Sequence, residues 1–209
     1  MKLTAIKNQC IFCVFLLTTL IVTACDKPTV IPPLPREAVI LAFGDSLTFG
    51  TGAPSGQSYP DTLAALLNRQ VINAGVPGEV SAAGLDRLPR LLEKHHPALV
   101  ILCHGGNDFL HRRKPGLVRN NLRAMVELSR AAGAQVLLIG VPDFNLMLST
   151  HPLYERLAEN LRIAYNGEIV SQLLSDRSLK SDRIHPNAEG YRLMAEAIAR
   201  QIPLLPTAN

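Results

Sequence analysis

Apolar residues between positions 38 and 202 show two patterns that alternate along the chain. Short continuous apolar runs are typical of strands buried on both faces, and they predict strands at residues 38–43, 70–73, 98–103 and 134–141. Between these runs, apolar residues recur every three or four positions, as on one face of a helix. This spacing predicts helices over residues 58–69, 81–95, 117–132, 153–161 and 187–201, with a weaker strand at 162–165 and helix at 168–174.

Strands that alternate with helices indicate a mainly parallel sheet covered by helices on both faces. We therefore predict a single α/β domain, a three-layer α/β/α sandwich, over residues 37–203, with a short tail at 204–209. The chain has 209 residues, 47% hydrophobic and 18% charged, which suffices for one buried core and excludes extensive disorder. In such sheets, ligands bind beyond the carboxyl ends of the strands.

The first 24 residues have the pattern of a targeting segment. Lys2 and Lys7 precede an apolar run at residues 10–22. This run is shorter than the roughly 20 residues of a membrane-spanning helix. Residues 22–25 (Val-Thr-Ala-Cys) resemble the lipobox of bacterial lipoproteins. That resemblance implies a lipoprotein signal peptide at residues 1–24, cleavage before Cys25 and a diacylglyceryl group on its thiol. An ordinary signal peptide and an uncleaved anchor are the alternatives.

A proline-rich segment separates this leader from the predicted domain. Residues 26–36 hold four prolines, so we predict that residues 25–36 form an extended tether between lipidated Cys25 and the domain. Asp26 resembles the inner-membrane retention signal of enteric lipoproteins. The expected location is therefore the bacterial cell envelope, with a periplasm-facing domain held on the inner membrane through Cys25.

Without the first 24 residues, the chain has fewer cysteines and a smaller net charge. Cys10 and Cys13 lie in the leader and Cys25 would carry lipid. Only Cys103 remains, inside an apolar run, so no disulfide is expected. The full chain has a net charge of +4, whereas the residues after position 24 include 19 basic and 17 acidic side chains. With no long basic run, 5% aromatic residues and no Trp, nucleic acid is not an expected partner.

Polar segments follow the predicted strands at what would be one edge of the sheet. At residues 44–47 (Gly-Asp-Ser-Leu), a tight glycine turn would expose the hydroxyl and the N–H of Ser46. Residues 73–79 (Asn-Ala-Gly-Val-Pro-Gly-Glu) would offer backbone donors. Residues 105–108 (Gly-Gly-Asn-Asp) include Asn107, whose neutral amide suits an oxyanion. Each segment taken alone also suits a plain turn.

A fourth segment, residues 182–187 (Asp-Arg-Ile-His-Pro-Asn), precedes the last predicted helix. Asp182 and His185 are three positions apart, so the carboxylate can bond the imidazole Nδ1 and leave Nε2 free as a base. Such a pair taken alone is also typical of a surface ion pair. We interpret His104, at the end of the third predicted strand, as structural.

The four segments in this order resemble the SGNH, or GDSL-type, hydrolases, and most closely their bacterial thioesterase I, lysophospholipase and arylesterase branch. The resemblance covers residues 38–202 and implies the family's flavodoxin-like fold. It also implies a catalytic triad, in which Ser46 is the nucleophile, His185 the general base and Asp182 the residue that orients the histidine.

The resemblance further implies an oxyanion hole formed by the N–H groups of Ser46 and Gly78 and the side-chain amide of Asn107. Two glycines compete for this place in the second segment. We assign Gly78 because it precedes an acidic residue and lies 29 residues before Asn107, as in the thioesterase I branch. Gly75 is then expected to shape the loop.

The resemblance implies a serine esterase that hydrolyses carboxylic esters or thioesters, such as acyl esters, aryl esters or lysophospholipids, without a cofactor or metal. The expected partners are a small-molecule ester or lipid substrate and the membrane, and the chain is expected to be a monomer. An O-acetylesterase acting on carbohydrate or peptidoglycan would use the same residues, and a non-catalytic binding lipoprotein is a further alternative. A metallophosphoesterase would use Asp45, Asn107, Asp108 and His185 as ligands. Its two-metal site would need more ligands, usually including an early Asp-x-His pair, which is not found near the first predicted strand.

Overall fold

Five parallel strands form the central sheet of the computed structural model, which describes residues 30–143 and 148–205. The strands are β1 (Ile40–Gly44), β2 (Val71–Gly75), β3 (Leu99–Cys103), β4 (Gln135–Ile139) and β5 (Ala164–Asn166). They are ordered β2-β1-β3-β4-β5, and all neighbours run parallel. Every residue of β1 and β3 is buried, because helices cover both faces of the sheet. The predicted α/β class with a parallel sheet is confirmed.

Helices follow the strands along the chain. They are α1 (Ser46–Phe49), α2 (Tyr59–Leu67), α3 (Ser81–His95), α4 (Gly106–Leu110), α5 (Pro115–Ala131), α6 (Leu153–Leu161), α7 (Ile169–Ser175) and α8 (Ala188–Ala199), with a 3₁₀ turn at Arg177–Leu179. The boundaries of the long helices carry ordinary capping chemistry. Ser58 and Asp61 form a reciprocal capping box at the start of α2, and Asn187 caps α8 by accepting from the N–H of Gly190 at 3.0 Å.

The longer helices form two groups that enclose the sheet. Helices α2 and α8 pack against each other, while α3 packs against α5 and α5 against α6. Right-handed crossovers place α2 on one face of a sheet with this strand order, and α3 and α5 on the other. The result is a single α/β domain with its core on both sides of β1 and β3.

Several elements differ from the sequence prediction. The four-residue α1 and five-residue α4 were not predicted, because neither is long enough to show a hydrophobic period. Helix α5 begins two residues earlier than predicted, at Pro115, which suits the first position of a helix. After α5, Gly133 adopts a left-handed conformation with φ +84°, as expected of a glycine that ends a helix.

The predicted tether is partly packed on the domain. Ile31 and Leu34 are only 2% and 3% exposed. The N–H of Leu34 donates to the carbonyl of Pro203 at 2.9 Å, and the N–H of Leu205 donates to the carbonyl of Leu34 at 3.2 Å. The prediction of an extended tether at residues 25–36 is therefore wrong for residues 30–36, since the side chains of Ile31 and Leu34 are buried in the core. The packed domain also begins before residue 37.

The predicted signal peptide, Cys25 and Asp26 lie outside the described residues. Within residues 30–143 and 148–205, no helix has both the length and the apolar character needed to cross a membrane.

Candidate active site

The carboxyl ends of β1, β2 and β3 lie side by side and carry the predicted site residues. Gly44 at the end of β1 is in register with Gly75 of β2 and Cys103 of β3. The chain leaves these three strands at nearly the same level, so the turns that follow converge. The sheet thus brings together segments that are distant in sequence, as expected of a parallel α/β sheet.

Ser46 is the first residue of α1 and follows a turn that only glycine permits. A Cβ atom on Gly44 would lie 2.1 Å from the carbonyl oxygen of Cys103 and 2.4 Å from Thr48 Oγ1. The next residue, Asp45, caps α1 by accepting from the N–H of Leu47 at 3.1 Å. Burial raises the pKa of Asp45 above its usual range. Asp45 therefore supports the turn, while Ser46 faces the cavity beyond it.

Ser46, His185 and Asp182 form a continuous chain of hydrogen bonds. His185 Nε2 lies 3.0 Å from Ser46 Oγ, and His185 Nδ1 lies 2.8 Å from Asp182 Oδ2. Because an ionised carboxylate only accepts, Nδ1 carries the hydrogen and Nε2 of the neutral ring is the acceptor that faces the serine hydroxyl. The three side chains that the sequence predicts as a triad thus meet in the required order.

Asp182 is held in place by its own loop. Its Oδ1 atom accepts from the N–H groups of Ile184 and His185 at 2.8 and 2.9 Å. Partial burial acts to raise the pKa of Asp182. The hydrogen bonds from the His185 ring and these two N–H groups outweigh that effect and lower the pKa below its usual range. The carboxylate therefore stays ionised beside the imidazole.

Gly78 and Asn107 line the same cavity as Ser46. Gly78 has φ +77°, and a Cβ atom there would meet nothing within 4 Å, so backbone conformation rather than space favours glycine. One Nδ2 hydrogen of Asn107 donates to the carbonyl of Glu79 at 3.0 Å, which leaves the second hydrogen available. Gly75 instead allows close packing, since a Cβ atom there would lie 2.0 Å from the nitrogen of Phe49.

An open cavity of about 220 Å³ surrounds Ser46. Its wall includes apolar side chains beside the predicted site residues: Leu47, Pro77, Leu110 and Ile184. A second, larger cavity of about 540 Å³ lies near β5 between Glu155 and Glu168, and none of the predicted site residues lines it. Ser46, Gly78, Asn107 and His185 therefore line a small, mainly apolar cleft.

The sequence did not predict a group of two charged side chains and an imidazole next to this cleft. It consists of Glu79, Arg87 and His104, and we call it the Glu79 cluster. Arg87 Nε donates to Glu79 Oε1 at 2.7 Å and its Nη2 donates to Oε2 at 2.6 Å. His104 Nε2 lies 3.1 Å from Oε2. The N–H of Gly105 donates to His104 Nδ1 at 3.0 Å, so Nε2 carries the ring hydrogen.

One signal in the sequence points to this cluster. Arg87 lies next to the apolar stripe of α3, three positions after buried Gly84 and one before buried Leu88. A charged residue so placed needs a partner when the helix packs. Burial acts to raise the pKa of Glu79, but hydrogen bonds from His104 and Arg87 outweigh it and lower the pKa.

The acidic residues considered as metal ligands have other partners. Asp108 accepts from the N–H of Ser81 at 2.7 Å and from its hydroxyl at 2.9 Å, which fixes the start of α3. Within the described part of the chain, no three His, Cys, Asp or Glu side chains are grouped so that they could hold a metal ion. The polar residues at the carboxyl edge of the sheet thus form the pattern of a nucleophile, a base and hydrogen-bond donors.

Comparisons with known proteins identify the family of this chain. Residues 42–193 match the model of the GDSL-like lipase/acylhydrolase family. An arylesterase of Vibrio mimicus is 30% identical over 174 residues, covering 78% of this chain and 87% of that protein. Thioesterase 1/protease 1/lysophospholipase L1 of Escherichia coli (strain K12) is 30% identical over 177 residues, covering 78% of this chain and 82% of that protein.

A solved structure supports the same assignment. The crystal structure of TesA superimposes with a TM-score of 0.70 at 28% identity, covering 78% of this chain and 97% of that chain. The chain therefore belongs to the GDSL-like lipase/acylhydrolase family and is an enzyme that hydrolyses ester bonds.

Proposed function

We propose that the chain is a serine esterase that hydrolyses carboxylic esters and thioesters through a covalent acyl-enzyme. One observation carries this proposal: the unbroken chain of hydrogen bonds from Asp182 through His185 to Ser46 Oγ at the wall of an open, apolar cleft. Ser46 is the proposed nucleophile, His185 the general acid and base, and Asp182 the group that orients the imidazole.

Acylation begins when Ser46 Oγ attacks the carbonyl carbon of the ester and His185 Nε2 takes the hydroxyl proton. The π electrons of the carbonyl move to its oxygen. In this proposal the N–H groups of Ser46 and Gly78 and the free Nδ2 hydrogen of Asn107 stabilise that oxyanion. When the intermediate collapses, His185 gives its proton to the leaving alcohol or thiol, and the acyl group stays on Ser46.

Deacylation repeats these steps with water. His185 Nε2 takes a proton from water as its oxygen attacks the acyl carbon, and the same donors hold the oxyanion. Collapse of this second intermediate breaks the bond to Ser46 Oγ, and His185 returns the proton to the serine. Asp182 remains ionised throughout and stabilises the imidazolium in both half-reactions.

The cleft supports an ester with an apolar acyl group. Leu47, Leu110 and Ile184 line it, and its volume of about 220 Å³ is below the roughly 300–1,000 Å³ of sites that enclose a drug-sized ligand. The site therefore encloses the reacting ester and the nearest part of the acyl group. The names of the relatives, an arylesterase and a thioesterase/lysophospholipase, point to the same substrate class.

The test compares wild type with Ser46→Ala on p-nitrophenyl acetate, with Ser175→Ala as a control because Ser175 lies exposed on α7. We expect Ser46→Ala to lose kcat by at least about 10⁴-fold and to resist labelling by a fluorophosphonate probe. Ser175→Ala should match wild type in both assays. Activity or labelling that survives in Ser46→Ala would overturn the proposal.

Substrate choice is tested with acyl esters from two to sixteen carbons, a matched thioester series and a lysophospholipid. We expect kcat/KM to rise with apolar acyl length until the chain outgrows the cleft. An acetylated sugar or peptidoglycan fragment serves as the competing substrate. A kcat/KM higher for that fragment than for every acyl ester would identify an O-acetylesterase instead.

We further propose that Cys25 carries the lipid anchor and that Asp26 keeps the protein on the inner membrane of the bacterial envelope. Because the packed domain includes Ile31, the residues from 25 to 30 span at most about 20 Å. The domain would therefore sit close to the membrane surface. Cys25→Ala should move the protein from the membrane fraction to the aqueous fraction, whereas Asp26→Ser should change only the membrane in which it is found. Retention of Cys25→Ala in the membrane fraction would refute lipidation at that residue.

A further inference from the structure

Glu79 connects the two oxyanion donors that lie outside the nucleophile turn. It directly follows Gly78 in the chain, so the position of Gly78 depends on where Glu79 is held. Its backbone carbonyl accepts one Nδ2 hydrogen of Asn107 at 3.0 Å, which fixes the direction of the remaining hydrogen. A displacement of Glu79 would therefore move the donors of both Gly78 and Asn107.

The side chain of Glu79 is in turn held from two directions. Arg87 of α3 grips the carboxylate with two nitrogens, and the buried His104 ring at the end of β3 donates to the same group. Arg87 Nη2 also donates to the carbonyls of Gly44 and Ala74 at 3.1 and 2.8 Å. The cluster thus connects Glu79 to the ends of β1, β2 and β3.

The charge of Glu79 requires a counter-ion in this position. The side chain of Glu79 is only 7% exposed, and an uncompensated carboxylate near an oxyanion hole would oppose the negative charge that develops there. The guanidinium of Arg87 offsets that charge and stacks over the ring of Phe43, 4.1 Å from its centroid. The cluster therefore orients the loop without an unpaired negative charge.

We propose that Glu79, held by Arg87 and His104, is the positioning residue of the oxyanion hole and sets the donor geometry of Gly78 and Asn107. This inference rests on the proposed serine-esterase function. Glu79 touches no reacting atom, so its contribution is to preorganisation, which matters in the transition state more than in substrate binding.

The first experiment is Glu79→Gln, assayed on p-nitrophenyl acetate with kcat divided by the fraction of sites that a fluorophosphonate titrates. We expect kcat to fall about 10- to 100-fold and KM to change less than about twofold. The matched control is Glu189→Gln on α8, which removes another carboxylate bonded by two arginine nitrogens, at 2.8 and 2.6 Å. Its kcat should equal that of wild type.

The second experiment is a double-mutant cycle with Asn107→Ala, in which that variant alone loses about 10²–10³-fold in kcat. Because Glu79 acts partly through Asn107, adding Glu79→Gln to Asn107→Ala should cost at least threefold less than it costs in wild type. Equal costs in both backgrounds would show that Glu79 does not position Asn107. This readout compares rates in folded variants, so a change in stability alone does not produce it.

The outcomes separate this inference from the proposed function. If Ser46→Ala is inactive and Glu79→Gln keeps wild-type kcat, the esterase mechanism stands and the positioning role of Glu79 is wrong. If Ser46→Ala remains active, the mechanism itself is wrong. Should Glu79→Gln fold poorly, Arg87→Lys replaces it, because lysine keeps the charge but cannot grip the carboxylate and two carbonyls together. Wild-type kcat in Arg87→Lys would then overturn the positioning role.

Discussion

Asp182 divides its two carboxylate oxygens between two tasks. Oδ1 accepts from two backbone N–H groups of its own loop, while Oδ2 accepts from the imidazole of His185. One oxygen therefore fixes the side chain and the other sets the tautomer of the base. This arrangement explains why an exposed carboxylate, with 51% of its side chain accessible, can still be held in a single geometry.

Asp182→Asn tests the second task. An amide can keep the backbone contacts, but an NH₂ group turned toward His185 would force the wrong tautomer, and we expect kcat to fall about 10³–10⁴-fold with the fold intact. The measurement is active-site-normalised kcat together with circular dichroism. Asp86→Asn, at an exposed site on α3, is the control and should leave kcat unchanged. A loss of less than about tenfold in Asp182→Asn would contradict the assigned role.

Glu79 should also make stability depend on pH. Its pKa lies below the usual 4.5 in the folded protein, so its stabilising contribution is fully present above about pH 4.5 and is lost as pH falls through the lower folded-state value. We expect Glu79→Gln to lower the free energy of unfolding by about 2–3 kcal/mol at pH 7, since it breaks a largely buried ion pair.

Urea denaturation of wild type and Glu79→Gln at several pH values measures this effect. The difference between the two should be constant from pH 7 to about pH 5 and shrink at lower pH. Glu189→Gln removes an exposed carboxylate of α8, and its stability should match that of wild type at pH 7. A difference between wild type and Glu79→Gln that stays the same down to pH 3 would show that the carboxylate is not the stabilising group.

At the scale of elements, helix α3 lies very close to His104 at the end of β3. This contact links the sheet to the loop that carries Gly78 and Glu79. A Cβ atom on Gly84 would lie 2.5 Å from His104 Nε2, the atom that donates to Glu79. The helix can pack at this distance only because residue 84 has no side chain. The missing side chain at residue 84 therefore allows close packing and leaves His104 in position to donate to Glu79.

Gly84→Ala and Gly116→Ala should have opposite effects. Alanine favours a helix over glycine by about 1 kcal/mol, and a Cβ atom on Gly116 of α5 would meet nothing within 4 Å, so Gly116→Ala should raise the melting temperature. Gly84→Ala should lower both the melting temperature and kcat, because it displaces His104. Calorimetry and active-site-normalised kcat measure both changes. Equal melting temperatures for the two variants would contradict the close approach.

The sequence predicted the long elements because their hydrophobic period repeats several times. Helix α3 was predicted correctly despite Pro89 in its interior, since its apolar positions outweigh one missing hydrogen bond. Helices α1 and α4 were missed because four and five residues contain too little of a period. Both begin directly after the strand-end turns, where steric contacts such as that at Gly44 decide the path of the chain.

The residues of the candidate site could be predicted better than the contacts that hold them. Ser46, Asn107 and His185 follow buried strands or precede a helix, and the carboxyl edge of a parallel sheet brings such segments together. Contacts between side chains distant in sequence, such as Arg87 with Glu79, depend on helix rotation and tilt. Local patterns do not determine those angles, so the sequence indicates that Arg87 needs a partner but does not identify Glu79 and His104.

At the scale of the whole molecule, the N-terminal segment stabilises the domain by pairing with its C-terminal end. Leu34 pairs with Leu204 in a parallel bridge, and its side chain is buried. We expect Leu34→Ala to lower the free energy of unfolding by about 2–3 kcal/mol, near the lower end for a buried leucine because the site is peripheral. Val30→Ala, at a position 69% exposed, should change it by less than about 0.5 kcal/mol.

Urea denaturation of both variants measures the two changes. Neither residue approaches the cleft, so kcat should be unchanged in both. If Leu34→Ala proves as stable as Val30→Ala, the segment before residue 37 does not belong to the cooperative unit.

The pairing of Leu34 with Leu204 also predicts that the domain tolerates circular permutation. Leu34 and Leu204 lie side by side, and Leu34 precedes β1, whose five residues extend roughly 17 Å toward the carboxyl edge that carries Ser46. A short linker can join residues 205 and 30, and new termini can be opened at Gly133, an exposed turn with open space around it. Such a circular permutant keeps every contact of the cleft while β4 becomes the first strand of the chain.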